Sequence, residues 1–151
     1  MSRHWEILRR GAAAAVCIAA VSTAQAPASV PRPDVRVAHL EEFFRHFNCP
    51  APRHIFDYLK AADTYHLDYR LLPAISIRET QCGVTENENN RLGYHPGRQA
   101  FPDVETGIHY VARRLAENPL YRGKTLRQKL YTYNPLPAYP GEIERIMRRI
   151  E

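Results

Sequence analysis

The sequence lacks the short motifs that identify several common enzyme classes. Its seven glycines form no phosphate-binding loop, and no HExxH zinc motif or GxSxG nucleophile motif occurs. Beyond residue 26 the only serines are Ser29 and Ser76, which excludes a serine hydrolase. His39 and His46 share a predicted helix face but have no carboxylate-bridged set beside them. We therefore expect no metal site and no cofactor.

The chain also lacks an apolar run long enough to cross a bilayer, which needs about 20 residues. Its apolar run at residues 11–21 has eleven residues, follows three arginines and precedes Ala24-Gln25-Ala26. This order is typical of a secretory signal peptide, so we predict a signal at 1–26 with cleavage after Ala26. A retained amphipathic or membrane-anchoring helix is the alternative. The prediction makes the protein secreted or periplasmic, without stable membrane insertion.

A strong excess of one charge is absent as well. The 151 residues include 21 Lys or Arg and 16 Asp or Glu, a formal charge of +5. The predicted signal removes three Arg and one Glu, so 125 residues with 18 basic and 15 acidic side chains (+3) remain. We therefore expect no nucleic-acid partner. A hydrophobic fraction of 44% with a mean hydropathy of -0.47 is typical of a globular chain and excludes a polytopic membrane protein.

Cysteine is scarce, with three residues in the whole chain. Cys17 lies in the predicted signal, which leaves Cys49 and Cys82. An even pair in an oxidising compartment predicts one disulfide, closing a loop of 34 residues (82 - 49 + 1). In the chain-entropy view such a loop stabilises the fold by roughly 3 to 4 kcal/mol. Two buried free thiols, or Cys82 acting as a nucleophile with His95, are the alternatives.

Strand-like alternation of polar and apolar residues is missing too. A Pro-rich linker at 27–33 follows the signal, and Asp34 and Asp103 are placed to cap helices. A polar loop separates the third predicted helix from the fourth at about residues 83–102. The apolar spacing predicts six short helices, at about 35–47, 53–65, 69–82, 104–117, 125–132 and 141–150. The predicted fold class is all-α, in a single small domain at 34–151.

The third predicted helix carries a carboxylate on its apolar stripe. Glu79 stands four residues after Ile75 and seven after Leu72, in the last turn before Gly83. Burial and the negative end of the helix dipole both disfavour a charged carboxylate there, so we expect a raised pKa. A carboxylic acid that stays protonated can donate to a leaving glycosidic oxygen. The alternative is an ordinary helix-end glutamate paired with an arginine.

Several segments, in order and spacing, resemble a known family. They are LLPAISIRETQCG at 71–83, NNRLGY at 89–94, GRQAFPDVETGIHYVARRL at 97–115 and LYTYNPLPAYPGEIERIM at 130–147. Together they resemble bacterial lysozyme-like domains of the glucosaminidase type, which include endo-β-N-acetylglucosaminidase-like and lytic transglycosylase-like enzymes that cut peptidoglycan. The resemblance covers about residues 50–150. It implies a lysozyme-like helical fold with Glu79 as catalytic acid, followed by Thr80 where the family usually has Ser.

The same resemblance assigns sugar binding to two stretches of the chain. An Asn-Asn-x-Phe-Gly-Trp-like stretch of the family matches residues 89–94, with Leu92 in place of the aromatic and Tyr in place of Trp. Amide groups suit an N-acetyl group, and tyrosine rings can stack on pyranose faces. Turn-forming asparagines and core tyrosines are the alternatives. The candidate binding residues are Asn89, Asn90, Tyr94, Tyr133 and Asn134.

A second carboxylate decides the course of the reaction. The nearby acids are Glu86, Glu88, Asp103 and Glu105, of which Asp103 is better explained as a helix cap and Glu105 as a first-turn dipole partner. If one of them reaches the site, it can activate water. If none does, a hydroxyl or acetamido group of the sugar attacks instead, in a lytic transglycosylase or a substrate-assisted reaction.

Taken together, the sequence predicts a secreted glycosidase. Its expected substrate is a strand of β-1,4-linked N-acetylhexosamines, and peptidoglycan in particular, cleaved as by an endo-β-N-acetylglucosaminidase or muramidase. Two alternatives stay open. The protein can be a lytic transglycosylase, or it can be a non-catalytic module that binds glycans on the same fold.

Overall fold

The computed structural model describes residues 33–95 and 98–151, and those residues form six α-helices without strands. The predicted signal at 1–26 and the linker up to residue 32 lie outside the described residues. The helices are α1 (Val35–His46), α2 (Ile55–Tyr65), α3 (Leu71–Thr80), α4 (Val104–Glu117), α5 (Leu126–Tyr133) and α6 (Tyr139–Met147). The predicted all-α class is confirmed, and each helix begins and ends within three residues of its predicted position.

Polar side chains fix the starts of three helices. Asp34 accepts a hydrogen bond from the Arg36 backbone N–H at 3.0 Å and caps α1, as predicted. Asp103 likewise caps α4 by accepting from the Thr106 N–H at 2.6 Å. A capping box with Thr125 starts α5. Each cap satisfies backbone donors that the helix itself leaves unpaired.

The core surrounds α3. Residues 71–76 of this helix are all buried, and Leu72, Ala74 and Ile75 are fully shielded from solvent. Helix α3 contacts α2 and α6, α2 also packs on α4 and α1, and α5 packs on α6. A fully buried Leu or Ile stabilises a fold by about 1.5 to 3 kcal/mol, so the first two turns of α3 are firmly anchored. Its last turn leaves the core.

The predicted disulfide is confirmed. Cys49, just after α1, is bonded to Cys82, just after α3, with 5.7 Å between the Cα atoms. Both side chains are buried, at 4% exposure each. A sulfur in a disulfide cannot act as a thiolate nucleophile, so the pairing of Cys82 with His95 is ruled out for this form of the protein. The bond joins the end of the central helix to the segment that enters α2.

Two features bear on partners of the described part of the chain. None of its helices is long and apolar enough to span a membrane. Within residues 33–95 and 98–151, no three His, Cys, Asp or Glu side chains are grouped so that they could hold a metal ion. His39 lies instead beside Tyr69, with 3.3 Å between Nδ1 and the tyrosine hydroxyl.

Candidate active site

Glu79 occupies the turn in which α3 leaves the core. It is the penultimate residue of the helix and is partly buried. Among the described residues it makes no ion pair, because the adjacent Arg78 binds Glu142 of α6, with 2.6 Å between Nε and Oε2. The interpretation of Glu79 as half of a helix-end salt bridge therefore does not fit this structure.

The surroundings of the Glu79 carboxyl favour its neutral form. Burial raises its pKa above the ordinary value, and the nearby Tyr139 hydroxyl, Arg78 guanidinium and Asn134 amide offset only part of that effect. Oε1 of Glu79 is buried and has no hydrogen-bond partner in the described chain. The Tyr139 hydroxyl, also buried, lies near the carboxyl but outside hydrogen-bonding geometry. Because Oε1 is shielded from solvent and has no hydrogen-bond partner, a negative charge on this carboxyl is poorly stabilised, which again favours the neutral form.

Thr80, the residue after the acid, ties the following loop to α3. Its hydroxyl donates to the Arg91 carbonyl at 2.7 Å and accepts from the Gly83 N–H at 3.0 Å. The chain reverses there through three successive residues with positive φ, namely Gln81, Cys82 and Gly83. Because these contacts start one residue after Glu79, they fix where the loop passes the carboxyl.

Gly93 is the point at which the loop meets the acid. A Cβ built on this residue would lie 2.9 Å from both Cβ and Oε2 of Glu79, closer than side chains tolerate. Its φ of +61° is also in the left-handed region that favours glycine. Gly93 therefore permits the backbone to pass directly against the acid, and a larger residue would displace it.

A cavity of about 510 Å³ opens beside Glu79. Its walls come from two parts of the chain, residues 79–95 and residues 114–135. Three tyrosines contribute their rings, while Leu120 at 59% exposure supplies an apolar surface. Aromatic and amide groups around a carboxyl suit a ligand that has both flat apolar faces and polar substituents, as a sugar does. The lining includes Glu79, Gly93, Tyr94, Arg114, Tyr121, Tyr133 and Asn134.

Three of the five predicted binding residues line this cavity. The Tyr133 hydroxyl donates to the Leu92 carbonyl at 2.5 Å, which leaves its ring as the group available to a ligand. Tyr94 lies next to it, with 5.9 Å between the ring centroids. Asn134 accepts from the Leu136 N–H at 3.2 Å, and its amide group lies close enough to Glu79 to lower the pKa of that carboxyl. The structure thus brings Tyr94, Tyr133 and Asn134 together with the acid.

The asparagine pair does not line the cavity. Asn90 is buried, and its amide bonds the Tyr94 backbone twice, donating to the carbonyl at 2.9 Å and accepting from the N–H at 2.8 Å. Asn89 donates to the Phe101 carbonyl at 2.9 Å. These bonds close the loop on itself and set the position of Tyr94. We therefore leave Asn89 and Asn90 out of the proposed sugar contacts.

No second carboxylate lines the cavity among the described residues. Glu86 forms an ion pair with Arg91, whose side chain is packed over Gly83. Glu88 is exposed in the loop. Asp103 caps α4, and Glu105 binds Lys60 of α2 at 3.0 Å. The four acids considered from the sequence therefore have other surroundings, and Glu79 is the single acid of the site.

Cavity volume by itself does not identify this site. A depression of about 520 Å³ lies between α2 and α4 and includes Lys60, Glu105 and His109. Its carboxylate, that of Glu105, is exposed and paired with Lys60. The cavity at Glu79 differs because its acid is partly buried, unpaired and shifted in pKa, the combination that marks candidate catalytic groups.

The sequence did not single out Arg114, Tyr121 or Gly93 as residues of the site. Arg114 and Tyr121 come from α4 and the segment after it, so only the packing of these elements brings them to the acid. Of these three residues, only Gly93 is indicated by a sequence feature, because an isolated glycine in a loop often marks a place where the backbone passes close to another part of the chain.

The arrangement can donate a proton to a bound ligand and hold that ligand against aromatic rings. Comparison with models of protein families finds no match to this chain, and a search of curated proteins finds none either. A chemical assignment therefore depends on the site residues and on the motifs described above.

Proposed function

We propose that this protein is a lysozyme-like glycosidase that cleaves strands of β-1,4-linked N-acetylhexosamines, with peptidoglycan as substrate and Glu79 as general acid. The supporting observation is that Glu79, a partly buried carboxyl with a raised pKa, lies on the wall of a cavity of about 510 Å³. The resemblance to glucosaminidase-type domains agrees with it. The predicted signal at 1–26 would export the protein to the periplasm or the exterior, where this polymer lies.

In the proposed reaction, Glu79 donates its proton to the bridging oxygen while the bond from that oxygen to the anomeric carbon breaks. The positive charge that develops on the sugar ring must then be met by a nucleophile. The ring of Tyr133 would hold a sugar by stacking, and Tyr94, buried at 8% exposure, would support that ring from behind. The amide of Asn134 would bind a hydroxyl or N-acetyl group next to the acid.

A lytic transglycosylase is the second candidate, because no carboxylate other than Glu79 lines the described cavity. Without a second carboxylate to activate water, the C6 hydroxyl of the same sugar can attack the anomeric carbon. Its proton passes to the Glu79 carboxylate, which has just become charged. The product then ends in a 1,6-anhydro sugar, whereas attack by water leaves a reducing end.

The decisive experiment compares the wild-type protein with Glu79→Gln on purified peptidoglycan. We expect the variant to lose about 10²- to 10⁴-fold in turnover, since the amide has no proton to donate, while binding to the insoluble polymer persists. Chromatography and mass spectrometry of the released fragments distinguish anhydro ends from reducing ends. Glu117→Gln, at the exposed end of α4, serves as the matched control and should retain activity.

Two outcomes would contradict the proposal. Equal turnover by the wild type and Glu79→Gln would remove Glu79 from the chemistry. Binding without turnover in both proteins would instead indicate the non-catalytic glycan-binding module.

A further inference from the structure

The cavity beside Glu79 contains a fixed positive charge. Arg114 of α4 is the single Lys or Arg among its described lining residues. Its Nε donates to the Tyr94 hydroxyl at 3.0 Å, and the guanidinium carbon lies 6.0 Å from the centre of the Tyr94 ring. The hydrogen bond to Tyr94 holds the guanidinium at this wall of the cavity.

Arg114 has no acidic partner among the described residues, unlike several other arginines of the chain. Arg36 binds Asp34 and Asp63, while Arg78 and Arg91 each bind a glutamate. Only Nε of Arg114 takes part in a side-chain hydrogen bond within the described chain. Its two terminal nitrogens remain available to a ligand.

A guanidinium with two free terminal nitrogens matches a carboxylate, which accepts two parallel hydrogen bonds. Such charge-assisted hydrogen bonds are about twice as strong as neutral ones, and Arg114 is partly buried. A neutral hexosamine strand has no group of that kind. Peptidoglycan has two, the lactyl carboxyl of its muramic acid residues and the carboxyl groups of its stem peptides.

We propose that Arg114 binds a carboxylate of the glycan strand beside the bond that Glu79 protonates. This inference rests on the proposed glycosidase function and adds a substrate class to it. Strands that carry a carboxylate are cleaved, whereas neutral N-acetylglucosamine oligomers are poor substrates. Arg114 is then a specificity-determining residue.

The test uses substrates that differ in carboxylate content. They are intact peptidoglycan strands, strands stripped of stem peptides so that the lactyl carboxyl is free, the stripped strands after amidation with methylamine, and a neutral N-acetylglucosamine oligomer. Charge-assisted hydrogen bonds predict that the wild-type kcat/KM is about 10- to 100-fold higher on the free-carboxyl strands than on their amidated form. A preference seen only for intact strands would assign the bound carboxyl to the stem peptide instead.

Variants connect the preference to the residue. Arg114→Gln should bring the ratio between the kcat/KM values on free-carboxyl and amidated strands to about 1, whatever its absolute rate on the amidated strands. The matched control is Arg113→Gln, because this exposed neighbour lies outside the cavity and should keep the wild-type ratio. Tyr94→Phe removes only the hydroxyl that holds Nε and should lower the ratio in part.

The outcomes separate this inference from the function on which it rests. If the wild type cleaves peptidoglycan but is indifferent to carboxyl groups in every substrate, the inference is wrong and the glycosidase stands. The inference is also wrong if Arg114→Gln loses activity equally on charged and amidated strands, because that result would mean that Arg114 only holds Tyr94 in place. A wild type that cleaves none of these substrates overturns both proposals. Because the substrate comparison is made with the wild type, an unstable variant does not prevent a decision.

Discussion

At the scale of single residues, the properties of Glu79 follow from its place at the end of a buried helix. Residues 71–76 anchor α3 in the core. Glu79 follows them in the last turn of the helix and therefore lies at the boundary between the core and the solvent. Burial there raises the pKa of the carboxyl, and the nearby Tyr139, Arg78 and Asn134 offset only part of that effect. The same residue on an exposed helix face would lack the burial that raises its pKa.

The raised pKa of Glu79 gives a prediction for pH dependence. Between its ordinary pKa and the raised one, the folded state binds more protons than the unfolded state, so stability falls as pH rises through that window. Glu79→Gln lacks the group. We therefore expect the stability of the variant, relative to wild type, to increase with pH across the window, and wild-type activity to fall there. Urea unfolding and rates on peptidoglycan, each measured over the same pH series, check both statements.

Asp103 supplies a control of the opposite sign. Its hydrogen bonds with Thr106 lower the pKa of this carboxyl, so the stability it contributes is present above the ordinary pKa and is lost as pH falls. The stability of Asp103→Asn should therefore fall furthest below that of the wild type at pH values above the ordinary pKa of aspartate. The quantity to compare is the stability of the wild type minus that of each variant. If this difference rises with pH for Glu79→Gln, as it should for Asp103→Asn, the pKa of Glu79 is not raised.

At the scale of elements, the spacing of apolar residues predicts that each helix exists, but it does not predict where several of the helices end. Helix α6 begins at Tyr139, two residues earlier than predicted, because Pro140 fits the first helical turn instead of preceding it. Helix α3 stops at Thr80 because Gln81 and Cys82 adopt positive φ, which neither residue type favours by itself. Local backbone bonds from the Gln81 N–H to the Ile77 carbonyl and from the Cys82 N–H to the Ser76 carbonyl close this end. The disulfide at Cys82 and the Thr80 bond to the Arg91 carbonyl add tertiary contacts that the sequence does not display.

The residues of the site are likewise predictable from the sequence only where a local pattern marks them. Glu79 was identifiable because its position relative to Ile75 and Leu72 is a local pattern. The amide groups of Asn89 and Asn90 suit a sugar equally well in the sequence, yet the backbone of their own loop occupies them. Which partner a side-chain amide takes depends on the folded loop and is not encoded in its residue type.

The contact of the loop with α3 gives a prediction at this scale. Gly93→Ala places a methyl group 2.9 Å from the Cβ of Glu79 and forces alanine into positive φ. We expect a stability loss of about 1 kcal/mol or more from the backbone alone, and a clear fall in kcat because the acid is displaced. Thermal unfolding and initial rates measure the two effects.

Gly123→Ala separates backbone strain from displacement of the acid. Gly123 has a φ of +76°, but a Cβ there meets no atom within 4 Å. This variant should lose a similar amount of stability and keep its activity. Full activity in Gly93→Ala would mean that the Glu79 carboxyl does not need the position seen here.

At the scale of the whole molecule, the cavity is assembled from distant parts of the chain. Residues 79–95 and 114–135 face one another across it, and the Tyr133 hydroxyl joins them through the Leu92 carbonyl. The disulfide acts on the first of these parts, because Cys82 lies three residues after the acid and is tied to Cys49. Folding stability and site geometry are therefore linked.

Removal of the disulfide tests that link. The double substitution Cys49→Ala and Cys82→Ala should lower the free energy of unfolding by roughly 3 to 4 kcal/mol, the value for a closed loop of this length. Urea denaturation of the variant and of wild type with and without reductant measures the loss. Reduced wild type should resemble the double variant. Unchanged stability in both would mean that the bond contributes nothing to the fold.

The three tyrosines on the cavity wall have a practical consequence. Trp5, the only tryptophan, lies within the predicted signal, so the exported chain would emit ultraviolet fluorescence from its tyrosines alone. Tyr94, Tyr121 and Tyr133 are three of nine such residues. Tyr94 and Tyr121 are already buried, at 8% and 4% exposure, so a sugar bound as proposed would change mainly the surroundings of Tyr133. Under the proposed function, tyrosine emission would report ligand occupancy, and titrations could be followed without attaching a dye.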